Sequence, residues 1–165
     1  MMPSLTARGE VAASGGHLRF SLAAGAVGLM FALAMAGLAV ATYLTVVHYT
    51  HQQIACNGIG DCEYVTSSKY AEVGGVPVAL LGAIAYGMMG VLVLAYAVSR
   101  APGVLQALWA IGLASFGFSM YLTGIELWVL DAICVYCVAS ASIMTALFAV
   151  QSVALWMFRE QKGRS

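Results

Sequence analysis

VPVALLGAIAYGMMGVLVLAYAVS, residues Val76 to Ser99, contains no charged side chain, and the charge-free run reaches back to Val73. Three more such runs lie on either side: Phe20 to Val47, Ala101 to Ile125 and Ala132 to Phe158. Each exceeds the roughly 20 residues needed to cross a hydrocarbon core about 30 Å thick. Across all 165 residues 62% are hydrophobic and 8% charged, and mean hydropathy is +0.90. A soluble domain of this size exposes too much surface to carry so few charges. The runs are continuous and lack the alternation of a membrane barrel, so they read as helices.

The expected fold is therefore an all-α membrane protein, a four-helix up-down bundle with spans of about 20–47, 77–98, 103–125 and 133–158. Residues 1–19 are expected to be a disordered cytoplasmic N-terminus, 20–158 the transmembrane domain with an outer loop over 48–76, and 159–165 a cytoplasmic tail. Ala34-Met35-Ala36 resembles a signal-peptide cleavage site. Signal peptides have apolar cores of only about 7 to 15 residues, whereas this run has 28, so it is expected to remain in the mature protein.

Charge sets the orientation. Arg8, Arg19, Arg100, Arg159, Lys162 and Arg164 fall on one side of the spans, and Lys69 alone among the basic residues on the other. The positive-inside rule then places both termini in the cytoplasm of a cell inner membrane, and the 48–76 loop and the short Glu126–Asp131 connection outside. All four cysteines fall on that outer side: Cys56 and Cys62 in the loop, Cys134 and Cys137 at the mouth of span four. Thiols persist as disulfides on the oxidising side of a membrane and rarely in the cytosol.

Along the outer loop, Asp61 is positioned to cap a short surface helix over about Cys62 to Val73, ended by Gly74 and Gly75, with Val65, Tyr70 and Val73 as apolar contacts. Arg100-Ala101-Pro102-Gly103 is a tight inner turn, which favours antiparallel neighbours. Ala24, Gly28, Ala32 and Ala36, four apart on span one, are expected to let helices approach closely.

Cys134 and Cys137 stand three residues apart and share a helix face. At a helix N-terminus, with Asp131 as a possible cap, unpaired amides and the macrodipole stabilise a thiolate. Thiolate is the nucleophile of disulfide exchange. The glycine-containing stretch between Cys56 and Cys62 makes the second pair mobile. A mobile dithiol beside a fixed one suits an electron relay; two structural disulfides that merely stabilise a non-enzymatic membrane protein remain the other reading. A four-thiolate zinc site fits less well, because its ligand pairs usually lie two to four residues apart, and no metal is expected. The chain has no haem-type Cys-x-x-Cys-His and no glycine-rich nucleotide fingerprint. A relay therefore needs a lipid-soluble acceptor, which a quinone of the menaquinone or ubiquinone type satisfies. The partners expected are the lipid bilayer, that quinone and a dithiol protein, with no nucleic acid.

These residues together resemble the vitamin K epoxide reductase family, particularly its bacterial members. The resemblance covers about Val40 to Ala149 and rests on Cys56 and Cys62, Ser68-Lys69-Tyr70-Ala71 before Gly75-Val76-Pro77, Gly82 and Tyr86, and Cys134-Val135-Tyr136-Cys137. It implies a bundle around a quinone pocket capped by the outer loop. Cys137 would adjoin the quinone and Cys134 stand on its exposed side. Cys62 would form a transient disulfide with Cys134, and Cys56 would meet an external protein. Ser68 would help hold the loop over the site. The function implied is a thiol-dependent quinone reductase that oxidises a separate extracytoplasmic thioredoxin-like protein and so supports disulfide formation; a separate protein is expected because the chain stops seven residues past Phe158. Vertebrate members reduce vitamin K epoxide, but the pocket asparagine and tyrosine they use correspond to Val78 and Ala141 here. The order of the two cysteine pairs is also opposite to that of the unrelated four-span bacterial disulfide generators.

His48 and His51 read as interfacial histidines, Trp109, Trp128 and Trp156 as an aromatic belt, the methionines as packing, and Glu126 and Asp131 as solvated loop charges.

Overall fold

The computed structural model describes residues 5–50 and 61–163. Cys56 and His51 lie outside the described residues. Helix α1 spans Leu5–Thr50, α2 Cys62–Thr66, α3 Val78–Ser99, α4 Pro102–Ile125 and α5 Val135–Gly163. Four stretches are long and apolar enough to cross a membrane: Ala24–Thr50, Val78–Ser99, Pro102–Leu130 and Val135–Glu160. In lipid each backbone amide must find its partner within the segment, and a helix achieves this.

The helical backbone of α1 begins at Leu5, where the sequence led us to expect disorder. Extending an existing helix fixes one residue per new hydrogen bond, so a long apolar span readily propagates into an alanine-containing stretch.

The bundle closes as a ring. Helix α1 packs against α3 and α5, while α4 packs against α3 and α5. Its core holds Met30, Ala34, Ala41, Tyr86, Met89, Val93, Leu105, Leu108, Met144 and Leu147. The inward face of α1 is Met30, Ala34, Gly37, Ala41 and Leu44, a spacing of alternating four and three that tracks one side of a helix. The expected stripe of Ala24, Gly28, Ala32 and Ala36 is exposed instead. A strict four-residue repeat drifts by about 40° per step at 3.6 residues per turn, and so slides off the buried face. Gly37 is the small residue that matters, since a Cβ there would run into the Tyr86 ring. Tyr86 is buried, and its hydroxyl donates to Ser140 O at 2.8 Å.

At the inner turn Arg100 adopts a left-handed conformation, φ 50°, and its N–H reaches Tyr96 O at 2.9 Å. Pro102 then opens α4 at a position where its missing N–H costs nothing. Trp109 is half-buried, and its indole N–H donates to Ser152 Oγ of α5 at 3.1 Å. Trp128 and Trp156 are exposed.

The outer loop departs from expectation after Thr66. Helix α2 stops there, and Glu72–Val73 (β1) pairs antiparallel with Val76–Pro77 (β2). Gly74 and Gly75, φ 61° and 81°, form the two-residue hairpin turn rather than a helix terminus. Two successive positive φ values suit the right-handed twist of a hairpin, and glycine adopts them without strain.

Candidate redox site

Helix α4 does not end at Ile125. Its last turn widens into a π-helix over Glu126–Leu130, and Asp131, left-handed at φ 46°, returns its N–H to Glu126 O. Ala132 N–H reaches the same carbonyl at 3.1 Å. An extra residue in a turn rotates the rest of the helix about its axis, and such turns recur at functional sites. Glu126, the first residue of that turn, keeps the inward face of α4 after Ser115, Ser119 and Leu122, and its side chain is buried, 6% exposed. The expectation of a solvated Glu126 is thereby corrected.

Cys134 immediately precedes α5. Its N–H donates to Glu126 Oε2 at 3.4 Å, so the carboxylate satisfies an orphan amide at this helix end. Asp131, expected to cap it, is exposed and makes no such bond. One turn into α5, the Cys137 thiol is hydrogen-bonded both to Glu126 and to the Cys134 sulfur. Both cysteines are free thiols, whereas Cys62 is disulfide-bonded. The Cys137 hydrogen bond holds the Cys134 thiol below its ordinary range, and burial and the Glu126 charge only partly offset this.

The outer loop closes over this pair. Asp61 donates its N–H to Ile133 O at 3.0 Å. Cys62, Val65, Ala132 and Cys134 form one buried cluster, flanked by Leu130, Tyr136 and Cys137. Cys134, fully buried, therefore faces the loop and not water; its expected place on an exposed side is corrected. The physical reason is α2, whose Cys62 and Val65 cover it.

On the other side Cys137 opens onto a cavity of about 420 Å³. Ser68, Val78 and Ala141, singled out with Cys137 from the sequence, all line it. Its walls include Leu44, Leu81, Phe118, Leu122 and Met144, with Tyr86, Ser115, Ser119 and Glu126 as scattered polar groups. Mostly apolar walls with a few placed polar atoms suit a flat, weakly polar ring such as a quinone. Ser68 Oγ donates to Val65 O at 2.7 Å, and Ala71 N–H to Ser68 O at 2.9 Å, fixing the loop's turn above the cavity. His48 lines the cavity as well, and its Nε2 lies 3.2 Å from Glu72 Oε1, linking α1 to the hairpin.

Sequence reasoning brought the three described cysteines and the cavity positions together but missed Glu126. The signal available was the carboxylate's place four residues after Leu122, on the helix face that also carries Ser115 and Ser119, and eight residues before Cys134.

A four-span bundle with a thiol pair set between a capping loop and an apolar cavity defines a redox-active membrane protein. The chain matches the Vitamin K epoxide reductase family over residues 28–152, and it belongs to that family. It is accordingly a multi-pass membrane oxidoreductase of a family that works between thiols and quinones.

Proposed function

We propose that the protein oxidises an extracytoplasmic thioredoxin-like dithiol protein and delivers the electrons to a membrane quinone, supporting disulfide formation outside the cytoplasm. The observation that carries this reading is the two-sided setting of α5's first turn: Cys134 packs against Cys62 while Cys137 lines the cavity. An incoming dithiol reduces the loop pair Cys56 and Cys62. The Cys62 thiolate then attacks Cys134, forming a Cys62–Cys134 bond as the Cys134–Cys137 bond breaks. Cys56 resolves that mixed disulfide, leaving Cys134 and Cys137 as a dithiol. Each step exchanges one S–S bond for another. A bound quinone supplies the sink for two electrons and two protons. Cys137 faces it directly, Ser68 keeps the loop closed above, and Val78 and Ala141 shape the wall.

Neither Val78 nor Ala141 carries a hydrogen-bonding side chain, which favours quinone over epoxide reduction. Free thiols at Cys134 and Cys137 favour chemistry over a structural staple. Six of the seven basic residues on one side of the spans favour an outward-facing site in a cell inner membrane.

Purified protein supplied with a reduced thioredoxin-like partner and a soluble quinone is expected to form quinol. Cys134→Ser and Cys137→Ser should each abolish turnover, and activity retained in either removes the mechanism. Cys56→Ser should spare oxidation of small dithiols while weakening use of the protein partner.

A further inference from the structure

Glu126 is a buried carboxylate that the sulfur exchange between the two cysteine pairs does not use. A carboxylate is costly to bury unless it is paired or has work to do. Among the described residues no basic side chain pairs with it: its partners are the Cys134 N–H and the Cys137 thiol. Among the described residues it is also the one carboxylate lining the cavity that Cys137 enters. Glu126 continues the inward face of α4 after Ser115, Ser119 and Leu122, and its carbonyl accepts the amides of both Asp131 and Ala132, which fixes the main chain that carries the carboxylate.

The Cys137 thiol has one proton and two acceptors, the Cys134 sulfur and the Glu126 carboxylate. Bonded toward Cys134, that proton stabilises the thiolate that exchanges with the loop. For the inner pair to give up its electrons, the same proton must leave sulfur. We propose that Glu126 is the proton relay of the quinone-reducing step, taking the Cys137 proton and passing it across the cavity to the quinone being reduced. This rests on the reading of the protein as a quinone reductase.

The step balances. Cys137 gives its proton to Glu126, the Cys134–Cys137 S–S bond forms, and two electrons leave the sulfurs. Two protons finish on the two ring oxygens: the Cys137 proton carried by Glu126, and one taken up from the outer solvent, which replaces the proton Cys134 shed there on becoming a thiolate. The dithiol is oxidised to a disulfide and the quinone reduced to a quinol, with Glu126 returned to its carboxylate form. The other titratable groups on the cavity are otherwise engaged. Tyr86 donates to Ser140 O, His48 pairs with Glu72, and Tyr70 sits on the capping loop.

The test uses full-length protein in detergent micelles, wild type against Glu126→Gln and Glu126→Asp. Glutamine keeps an oxygen to accept the Cys134 N–H but cannot take up the proton. Single-turnover oxidation of the Cys134/Cys137 dithiol by a short-chain quinone should slow in Glu126→Gln by about a hundredfold, the lower end for loss of a general base. Aspartate, one methylene shorter, should recover part of that loss. Without quinone, the pH midpoint for alkylation of Cys134 by a maleimide should fall in Glu126→Gln, because a neighbouring negative charge has gone. The slowed quinone step and its partial recovery in the Asp variant are not expected if Glu126 only braces the helix end, whereas the fallen midpoint reports the lost charge alone. Quinone oxidation of Glu126→Gln at the wild-type rate overturns the relay, as does equal loss in Gln and Asp variants. Wild-type protein that fails to oxidise its dithiol with quinone would instead overturn the parent reading.

Discussion

Asp61 and Ile133 share a backbone hydrogen bond of 3.0 Å, which ties the residue before Cys62 to the residue before Cys134. The loop thiol and the helix thiol are thus held in register by main chain, whatever their side chains do. A loop registered in this way can close repeatedly on the same sulfur.

That register is testable at a single amide. Asp61→Pro removes the donor, at a residue whose φ, −99°, must tighten by about 20° to reach proline's range. Losing one such bond costs about 1 kcal/mol. Trapping of the Cys62–Cys134 mixed disulfide in a Cys137→Ser background should therefore slow by roughly fivefold. Unchanged trapping would show that the apolar cluster alone sets the register.

The reactivity of Cys134 should vary with pH in a defined direction. The hydrogen bond from Cys137 holds its thiol below the ordinary range, so thiolate persists at lower pH than for a free cysteine, near 8.5. In reduced protein, alkylation of Cys134 should reach half its maximal rate below that value. Cys137→Ala removes the donor and should move the midpoint upward. A midpoint that is unmoved in Cys137→Ala contradicts the assigned cause.

Gly37 and Gly28 make a matched pair on α1. A Cβ on Gly37 meets the Tyr86 ring, while one on Gly28 meets nothing within 4 Å. Gly37→Ala should lower thermal stability in detergent by about 1 to 3 kcal/mol, the usual cost of overpacking. Gly28→Ala should be neutral. Tyr86→Phe, which loses the hydroxyl's bonds to Ser140 O and Ser140 Oγ, should cost about 0.6 kcal/mol, typical of hydrogen bonding between membrane helices.

The His48–Glu72 pair is partly exposed, so Glu72→Gln should change stability by less than about 1 kcal/mol. Its effect should show as faster labelling of Cys134 by a small alkylating reagent, since the hairpin is then tied less firmly to α1. Labelling at the wild-type rate would leave the pair no part in closing the loop.

The features legible in the sequence and those hidden from it divide along physical lines. The spans are legible because the length of a charge-free run is a property of the chain alone. The inward face of α1 is not, since Ala24 and Ala34 differ only in what other helices bring to them. Asp61 stands at the N-cap of α2, but its side chain makes no capping hydrogen bond. Gly74-Gly75 carried a turn signal, yet two glycines serve a hairpin as well as a helix end, and pairing with Pro77 decided for the hairpin. The cysteine positions were readable because thiol chemistry is rare and local. Glu126 reads as a loop charge because the charge-free run stops at Ile125, although it continues the inward face of α4 through Ser115, Ser119 and Leu122 by the same alternation of four and three.

The most direct measurement is anaerobic single turnover: reduced protein is mixed with a small excess of quinone, and quinol formed is compared with the Cys134–Cys137 disulfide found by mass spectrometry. One quinol for each new Cys134–Cys137 bond, and none in Cys137→Ala, is the result expected. Quinol produced without that bond, or equally in Cys137→Ala, would contradict the claim that electrons leave the protein through Cys137.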